Sequence, residues 1–173
     1  MTQSSSSPLF HSSRRDILTK GGLAFAGTAM IGFAGCGTSP AQARSFPVTK
    51  TAAQWKKQLT PAEYHILRED GTERAYSSPL NKEHRAGIFS CAACDKKLYS
   101  SKTKFESGTG WPSFYAPLEG AVVTSTDRSL GFARTEVSCA RCGGHLGHVF
   151  DDGPKPTGKR YCMNGVAMDF TPA

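Results

Sequence analysis

Four cysteines arranged as two pairs constrain this chain more than any other feature. Cys91-Ala92-Ala93-Cys94 and Cys139-Ala140-Arg141-Cys142 are C-x2-C turns separated by a long insert. Each turn aims two sulfurs at one point, and four soft thiolates are the set a tetrahedral zinc ion prefers. Two such pairs seldom coincide in one domain by chance. One structural zinc held by Cys91, Cys94, Cys139 and Cys142 is therefore expected, and the flanking segments must converge on it. Two disulfides and a redox C-x-x-C are the competing readings. A redox pair needs a cysteine with depressed pKa at a helix N-terminus, and neither flank has a helical pattern. A closed four-thiolate site is structural, so the chemistry lies elsewhere.

Of the remaining cysteines, Cys36 lies in an N-terminal apolar run and Cys162 stands alone in Lys159-Arg160-Tyr161-Cys162-Met163-Asn164-Gly165. A thiol without a structural partner is a candidate nucleophile. If the segment is a strand, Arg160, Cys162 and Asn164 share one face while Tyr161 and Met163 share the other. A permanent cation would then sit beside the sulfur and favour the reactive thiolate. The competing reading is a small hydrophobe buried on a core strand.

Residues 1–43 have the organisation of an export signal. Ser12-Ser13-Arg14-Arg15-Asp16-Ile17-Leu18 resembles the twin-arginine pattern and is followed by a run rich in Gly and Ala from Gly21 to Gly35. That run is too short to be a comfortable permanent span. Ala41-Gln42-Ala43 fits a small-x-small cleavage site, whereas Phe33-Ala34-Gly35-Cys36 resembles an imperfect lipoprotein signal that would acylate Cys36. Cleavage after Ala43 is the expectation, because Phe33 replaces the usual aliphatic residue. The protein is accordingly expected to be exported to the periplasm. Export weighs toward disulfides, but a route that moves folded proteins lets zinc load in the reducing cytoplasm.

Residues 44–50 read as a linker and residues 51–173 as one domain. Thr51-Ala52-Ala53-Gln54 has capping-box spacing and opens a helix through about Leu59. Thr60-Pro61-Ala62-Glu63 repeats the signal with Pro at the first helical position, and Gly71 can close the second helix. From about Ile88 the chain turns to short β-prone runs punctuated by Gly, Pro and aromatics. They are Gly87 to Ser90, Lys97 to Tyr99, Ala121 to Thr126, Phe132 to Val137, His148 to Phe150 and Arg160 to Met168. A mainly antiparallel β core with two or three helices attached is expected. The formal charge is +7, yet Lys and Arg are dispersed, which fits a solvated surface better than a nucleic-acid footprint.

Two further stretches carry chemistry. Gly144-His145-Leu146-Gly147-His148-Val149-Phe150 follows the second knuckle directly. His145 and His148 can serve as proton donors or acceptors, or could join Cys139 and Cys142 as metal ligands, which would strand Cys91 and Cys94. In Ser107-Gly108-Thr109-Gly110-Trp111-Pro112-Ser113-Phe114 the G-x-G lacks a dinucleotide fingerprint. A tight turn presents Trp111 there, as plain core or as the wall of an apolar pocket.

Taken in order, S-G-T-G-W-P-S-F at 107–114, the two knuckles, H-L-G-H-V-F-D-D-G-P at 145–154 and R-Y-C-M-N-G at 160–165 resemble the B-type peptide methionine-R-sulfoxide reductases. The resemblance runs from about Thr51 to Phe170. It implies a small domain of two antiparallel sheets, with one structural zinc remote from the active site. Cys162 matches the family's nucleophile, and Trp111, His145, His148, Arg160 and Asn164 match positions lining its substrate pocket. The implied partners are oxidised protein substrates and an external thiol or thioredoxin-like reductant; neither nucleic acid nor a membrane span is implied, and the protein is expected to be a monomer. Many members carry a resolving cysteine where this chain has Thr109, so a single-cysteine cycle is expected. The rival classes are a zinc-ribbon binding module and a structural envelope protein without catalysis.

Overall fold

The computed structural model describes residues 45–173. Residues 1–43, read as an export signal and including Cys36, and Arg44 lie outside the described residues. Two helices come first among the described residues, α1 (Ala52–Gln58) and α2 (Pro61–Glu69). Both begin with the expected reciprocal caps. Gln54 N–H donates to the Thr51 hydroxyl while Thr51 N–H donates to the Gln54 side chain at 2.8 Å. Thr60 and Glu63 repeat the arrangement with Pro61 at the first helical position, and each pair satisfies orphan N–H donors. Gly71 is not the residue that closes α2. Asp70 takes the left-handed conformation instead, φ 54°, a role a short polar side chain tolerates.

Nine strands follow among the described residues: β1 (Gly87–Cys91), β2 (Lys97–Ser100), β3 (Lys104–Phe105), β4 (Ser113–Phe114), β5 (Val122–Asp127), β6 (Arg134–Cys139), β7 (His145–Phe150), β8 (Arg160–Met163) and β9 (Met168–Pro172). They form two antiparallel sheets, β2-β1-β9 and β3-β4-β8-β7-β6-β5. The strands β3 and β4, two residues each, are too short to show any alternation in sequence.

The run expected as one strand from Arg160 to Met168 divides instead. β8 lies in the larger sheet and β9 in the smaller, joined by a 3-10 turn at Gly165–Ala167. Gly165 permits the turn, since a Cβ there would come within 1.9 Å of the Ser78 hydroxyl. That crossover stitches the two sheets together. Between them Phe89 meets Phe114 edge-on at 4.9 Å, and Tyr99 stacks on Phe114 at 4.3 Å, geometries that aromatic quadrupoles favour. The buried Tyr99 hydroxyl finds a partner in the Met163 sulfur at 3.1 Å. Trp55, Leu59, Ile66 and Leu67 add the helices' apolar faces to the same core.

The stretch read as a linker packs on the second knuckle. Val48 N–H donates to the Arg141 carbonyl at 2.9 Å, and the Phe46 ring lies against Gly143. Among the described residues, no helix is long and apolar enough to cross a membrane.

Candidate functional site

Cys91 and Cys139 end β1 and β6, and each C-x2-C turn closes on itself. Asp95 N–H donates to the Cys91 carbonyl at 2.8 Å and Gly143 N–H to the Cys139 carbonyl at 2.9 Å. The four sulfurs converge within 4.8 Å of one another. The Cys91 and Cys142 sulfurs are 3.8 Å apart, and those of Cys94 and Cys139 are 3.6 Å apart. A disulfide would need about 2.05 Å. A tetrahedron with metal–sulfur bonds of about 2.3 Å has edges of about 3.8 Å, so the set fits a four-coordinate ion. Neither His145 nor His148 belongs to it. Arg68 of α2 reaches this centre, with Nη2 3.1 Å from the Cys142 sulfur and Nη1 2.9 Å from its carbonyl. Its guanidinium lies 3.9 Å over the Trp55 ring.

Cys162 lies on the central strand β8, paired with Ser113 on one side and His148 on the other. Its sulfur faces a cleft of about 120 Å³ lined by Trp111, Arg134, His148, Phe150 and Asn164, with Thr72 at one side. That is roughly the room of four waters at about 30 Å³ each, enough for the end of a side chain. Larger hollows, of about 300 Å³ beside Glu83 and Lys104, about 380 Å³ beside Gln54 and Lys57 and about 340 Å³ beside Pro61 and Tyr64, contain no thiol. Gly147, which also lines the cleft, lets β7 lie close against β8: at φ +153° its missing Cβ leaves room for the Cys162 carbonyl, which any side chain would meet at 2.1 Å.

Trp111 is half-buried and its indole N–H donates to the Glu73 carbonyl at 3.1 Å, so it is a wall of the cleft held from outside. Asn164 is buried; its side-chain carbonyl accepts from Glu73 N–H at 2.9 Å and its amide donates to the Leu146 carbonyl at 3.2 Å. His148 Nε2 lies 2.8 Å from Asp127, whose carboxylate also accepts from Arg134 at 2.5 Å. Hydrogen bonds from Ser129, reinforced by His148 and Arg134, hold the Asp127 carboxyl well below its ordinary range. Burial pushes the His148 pKa down, against the pull of Asp127. His145 stands one layer back: its ring centre is 5.4 Å from that of His148, and its Nδ1 is 2.8 Å from Glu136. That bond lowers the Glu136 pKa. His145 Nε2 is buried and has no hydrogen-bond partner among the described residues.

Arg160 is at the edge of the cleft. It grips Asp152 with a two-pronged bond of 2.9 and 2.8 Å and lies 4.4 Å over Phe150. The Asp152 bond raises its pKa, with the Cys162 sulfur adding to the shift. Thr109 Oγ1 is 3.7 Å from the Cys162 sulfur, within a chain of hydroxyls through Ser107 at 2.8 Å to Ser113 at 2.7 Å.

The structure thus gathers Trp111, His148, Cys162 and Asn164 on one cleft, with His145 behind it and Arg160 at its edge. Sequence reasoning missed Thr72, Glu73, Asp127, Arg134 and Glu136. Only the alternation along β5 and β6 could have hinted that Asp127 or Glu136 faced inward, and it does not say toward what. Glu73 is the least expected of them: its carboxylate accepts from Gly165 N–H at 2.7 Å and Val166 N–H at 2.9 Å, while its backbone holds Asn164 and Trp111.

The family profile described as the SelR domain matches residues 59–172. The chain is 55% identical over 126 residues to a protein of Agrobacterium fabrum named peptide methionine sulfoxide reductase MsrB, covering 72% of this chain and 93% of that one. A protein of the same name from Leptospira interrogans is 53% identical over 127 residues, 73% of this chain and 97% of the other. One from Methanosarcina barkeri is 55% identical over 124 residues, 71% and 87% respectively.

Proposed function

The chain belongs to the SelR domain family, and from that membership we propose that it is a peptide-methionine (R)-S-oxide reductase whose nucleophile is Cys162. The observation that carries the assignment of the nucleophile is the placement of Cys162 on a small cleft between an indole, an imidazole and a buried amide. It is also the one thiol among the described residues that stands outside the four-cysteine cluster.

The chemistry follows from these groups. The substrate's S-methyl lies against Trp111, whose face is apolar. The Cys162 thiolate, the reactive form, attacks the sulfoxide sulfur while the oxygen takes up a proton. His148 lines the cleft with one ring nitrogen held by Asp127; the other accepts the proton that the Cys162 thiol gives up and passes it to the oxygen. Asp127 holds one ring nitrogen of His148, and Glu136 does the same for His145, fixing how each imidazole is turned. Asn164 is tied on two sides and keeps the floor rigid, while Arg160, gripped by Asp152, sets a permanent cation at the edge of the cleft. Oxygen passes to Cys162, giving a sulfenic acid and leaving the substrate's methionine restored in its own chain. One external thiol condenses with the sulfenic acid and releases water; a second displaces the mixed disulfide, returning Cys162 as a thiol. Thr109 beside the sulfur offers a hydroxyl in place of a resolving thiol, so a small thiol or a thioredoxin-like protein serves as reductant. Zinc is the ion assigned to Cys91, Cys94, Cys139 and Cys142. Where bound, it fastens the two knuckles, and its closed tetrathiolate shell leaves no open position for chemistry. The enzyme works as a monomer, exported to the periplasm by residues 1–43, and N-terminal sequencing of the mature chain checks the cleavage.

Turnover of the two epimers of a sulfoxide-containing peptide with dithiothreitol tests the proposal. Wild type reduces the R epimer, and Cys162→Ser abolishes turnover with zinc content unchanged. Full activity in Cys162→Ser would remove the assignment of the nucleophile.

A further inference from the structure

The reductase reading accounts for the cleft but not for what surrounds it. Among the described residues, the large hydrophobic side chains most open to solvent are Tyr76 at 68%, Leu130 at 61% and Phe132 at 60%. Isolated exposed hydrophobes need no explanation, but these stand on the two sides of one cleft. Phe132 and Leu130 lie in the β5–β6 hairpin tip at 128–133, turned by a bond from Gly131 N–H to the Arg128 carbonyl. The Phe132 ring centre is 6.0 Å from the guanidinium of Arg134, itself a lining residue of the cleft. On the other side Tyr76 covers the loop bearing Thr109. Its N–H donates to the Gly110 carbonyl and its hydroxyl to the Gly108 carbonyl, each at 2.7 Å, and Thr109 is 3.7 Å from the Cys162 sulfur. Tyr76 adopts φ 64°, a conformation a bulky residue rarely takes, yet the ring so held is solvent-facing. Strain kept in place without burial to show for it is a mark of functional placement.

We propose that this rim, with Leu130 and Phe132 on one side and Tyr76 on the other, docks the apolar residues that flank the oxidised methionine in an unfolded segment of the substrate protein. The proposal rests on the reductase reading of the Cys162 cleft. That cleft, about 120 Å³, admits the sulfoxide end of one side chain, so the backbone and neighbouring residues must lie outside on the rim. Methionine is mostly a core residue, and its oxidation puts a polar group into the core and disrupts it. The segments that expose a methionine sulfoxide are therefore rich in the apolar neighbours that Phe132, Leu130 and Tyr76 can cover.

Three substrates test this with dithiothreitol as reductant. They are a peptide with Leu, Val and Phe around methionine-R-sulfoxide, an equal-length peptide with Ser and Gly there, and N-acetylmethionine-R-sulfoxide. Wild type favours the apolar peptide over the polar one by about tenfold in kcat/KM, mostly through KM, equivalent to roughly 1.4 kcal/mol. In the double substitution Leu130→Ser with Phe132→Ser the ratio approaches one, and Tyr76→Ser lowers it as well. Equal rates on both peptides in wild type would overturn the proposal, and that comparison depends on no variant folding. A double variant, folded by its urea midpoint, that keeps the wild-type ratio would overturn it too. So would substitutions that spare the ratio but slow turnover when thioredoxin replaces dithiothreitol, for the rim would then belong to the reductant. Wild type inactive on all three substrates would instead sink the reductase reading.

Discussion

Replacing Glu73 with Ala should be among the most damaging single changes available outside the core and the metal cluster. The Glu73 carboxylate accepts from Gly165 N–H at 2.7 Å and Val166 N–H at 2.9 Å, at the turn by which the chain leaves β8 for the other sheet. The residue is 9% exposed, so water has little access to replace it. Hydrogen bonds to a charged group are worth about 1.5–3 kcal/mol each, and the buried N–H groups left behind keep their desolvation cost. Two such bonds, reduced somewhat for residual solvent, give a loss of about 3–4 kcal/mol, a sizeable part of the roughly 5–15 kcal/mol that holds a domain. With a urea slope of about 2 kcal/mol/M, the unfolding midpoint falls by about 1.5–2 M. Glu73→Gln keeps one acceptor but sets an amide N–H against a backbone N–H, and should fall between wild type and the Ala variant. A loss below about 1 kcal/mol at unchanged slope would show that the turn is held by other means.

Further outcomes follow from the site. Thr109→Cys puts a thiol where a hydroxyl lies 3.7 Å from the Cys162 sulfur. After one turnover without reductant it should form an intramolecular disulfide, seen as loss of two titratable thiols, while wild type forms none. Lowering the pH should cost stability in two steps. The His148 pKa is depressed by burial, so the unfolded chain binds that proton first and stability falls as pH drops below about 6.5. The Glu136 pKa is depressed by its bond to His145, so its contribution is present above about pH 4.3 and is lost as pH falls through the folded value. Melting temperatures followed downward from about pH 8 should show the first step missing in His148→Gln and the second in Glu136→Gln. Removing the metal with a chelator should lower the melting temperature, since an ion at 1,000 times its dissociation constant contributes about 4 kcal/mol. Metal analysis giving well under one zinc per chain in freshly prepared protein, with the four thiols oxidised, would contradict the cluster assignment.

Local patterns carried much of this protein into view from the sequence. Both helix starts follow from Thr-x-x-Gln and Thr-Pro-x-Glu, because a capping box is satisfied within four residues. The knuckles follow from cysteine spacing, and the six β-prone runs each contain or overlap a strand. Cys162 stood out as unpaired, and its motif pointed to the family that the comparisons show.

What only the tertiary structure decided is which strands lie side by side. β8 sits between β4 and β7, which sets Cys162 between Ser113 and His148, and nothing in the order of the residues specifies that neighbourhood. Asp127 and Glu136 back the two imidazoles only because β5, β6 and β7 pair in one particular register, and a slip of one residue would turn each carboxylate to the opposite face. Glu73 reaches Gly165 across 92 positions of chain. Caps and knuckles are settled by neighbours in the chain, whereas strand order, register and the carboxylates behind the site are settled by contacts between distant segments that exist only once both sheets have closed on a common core.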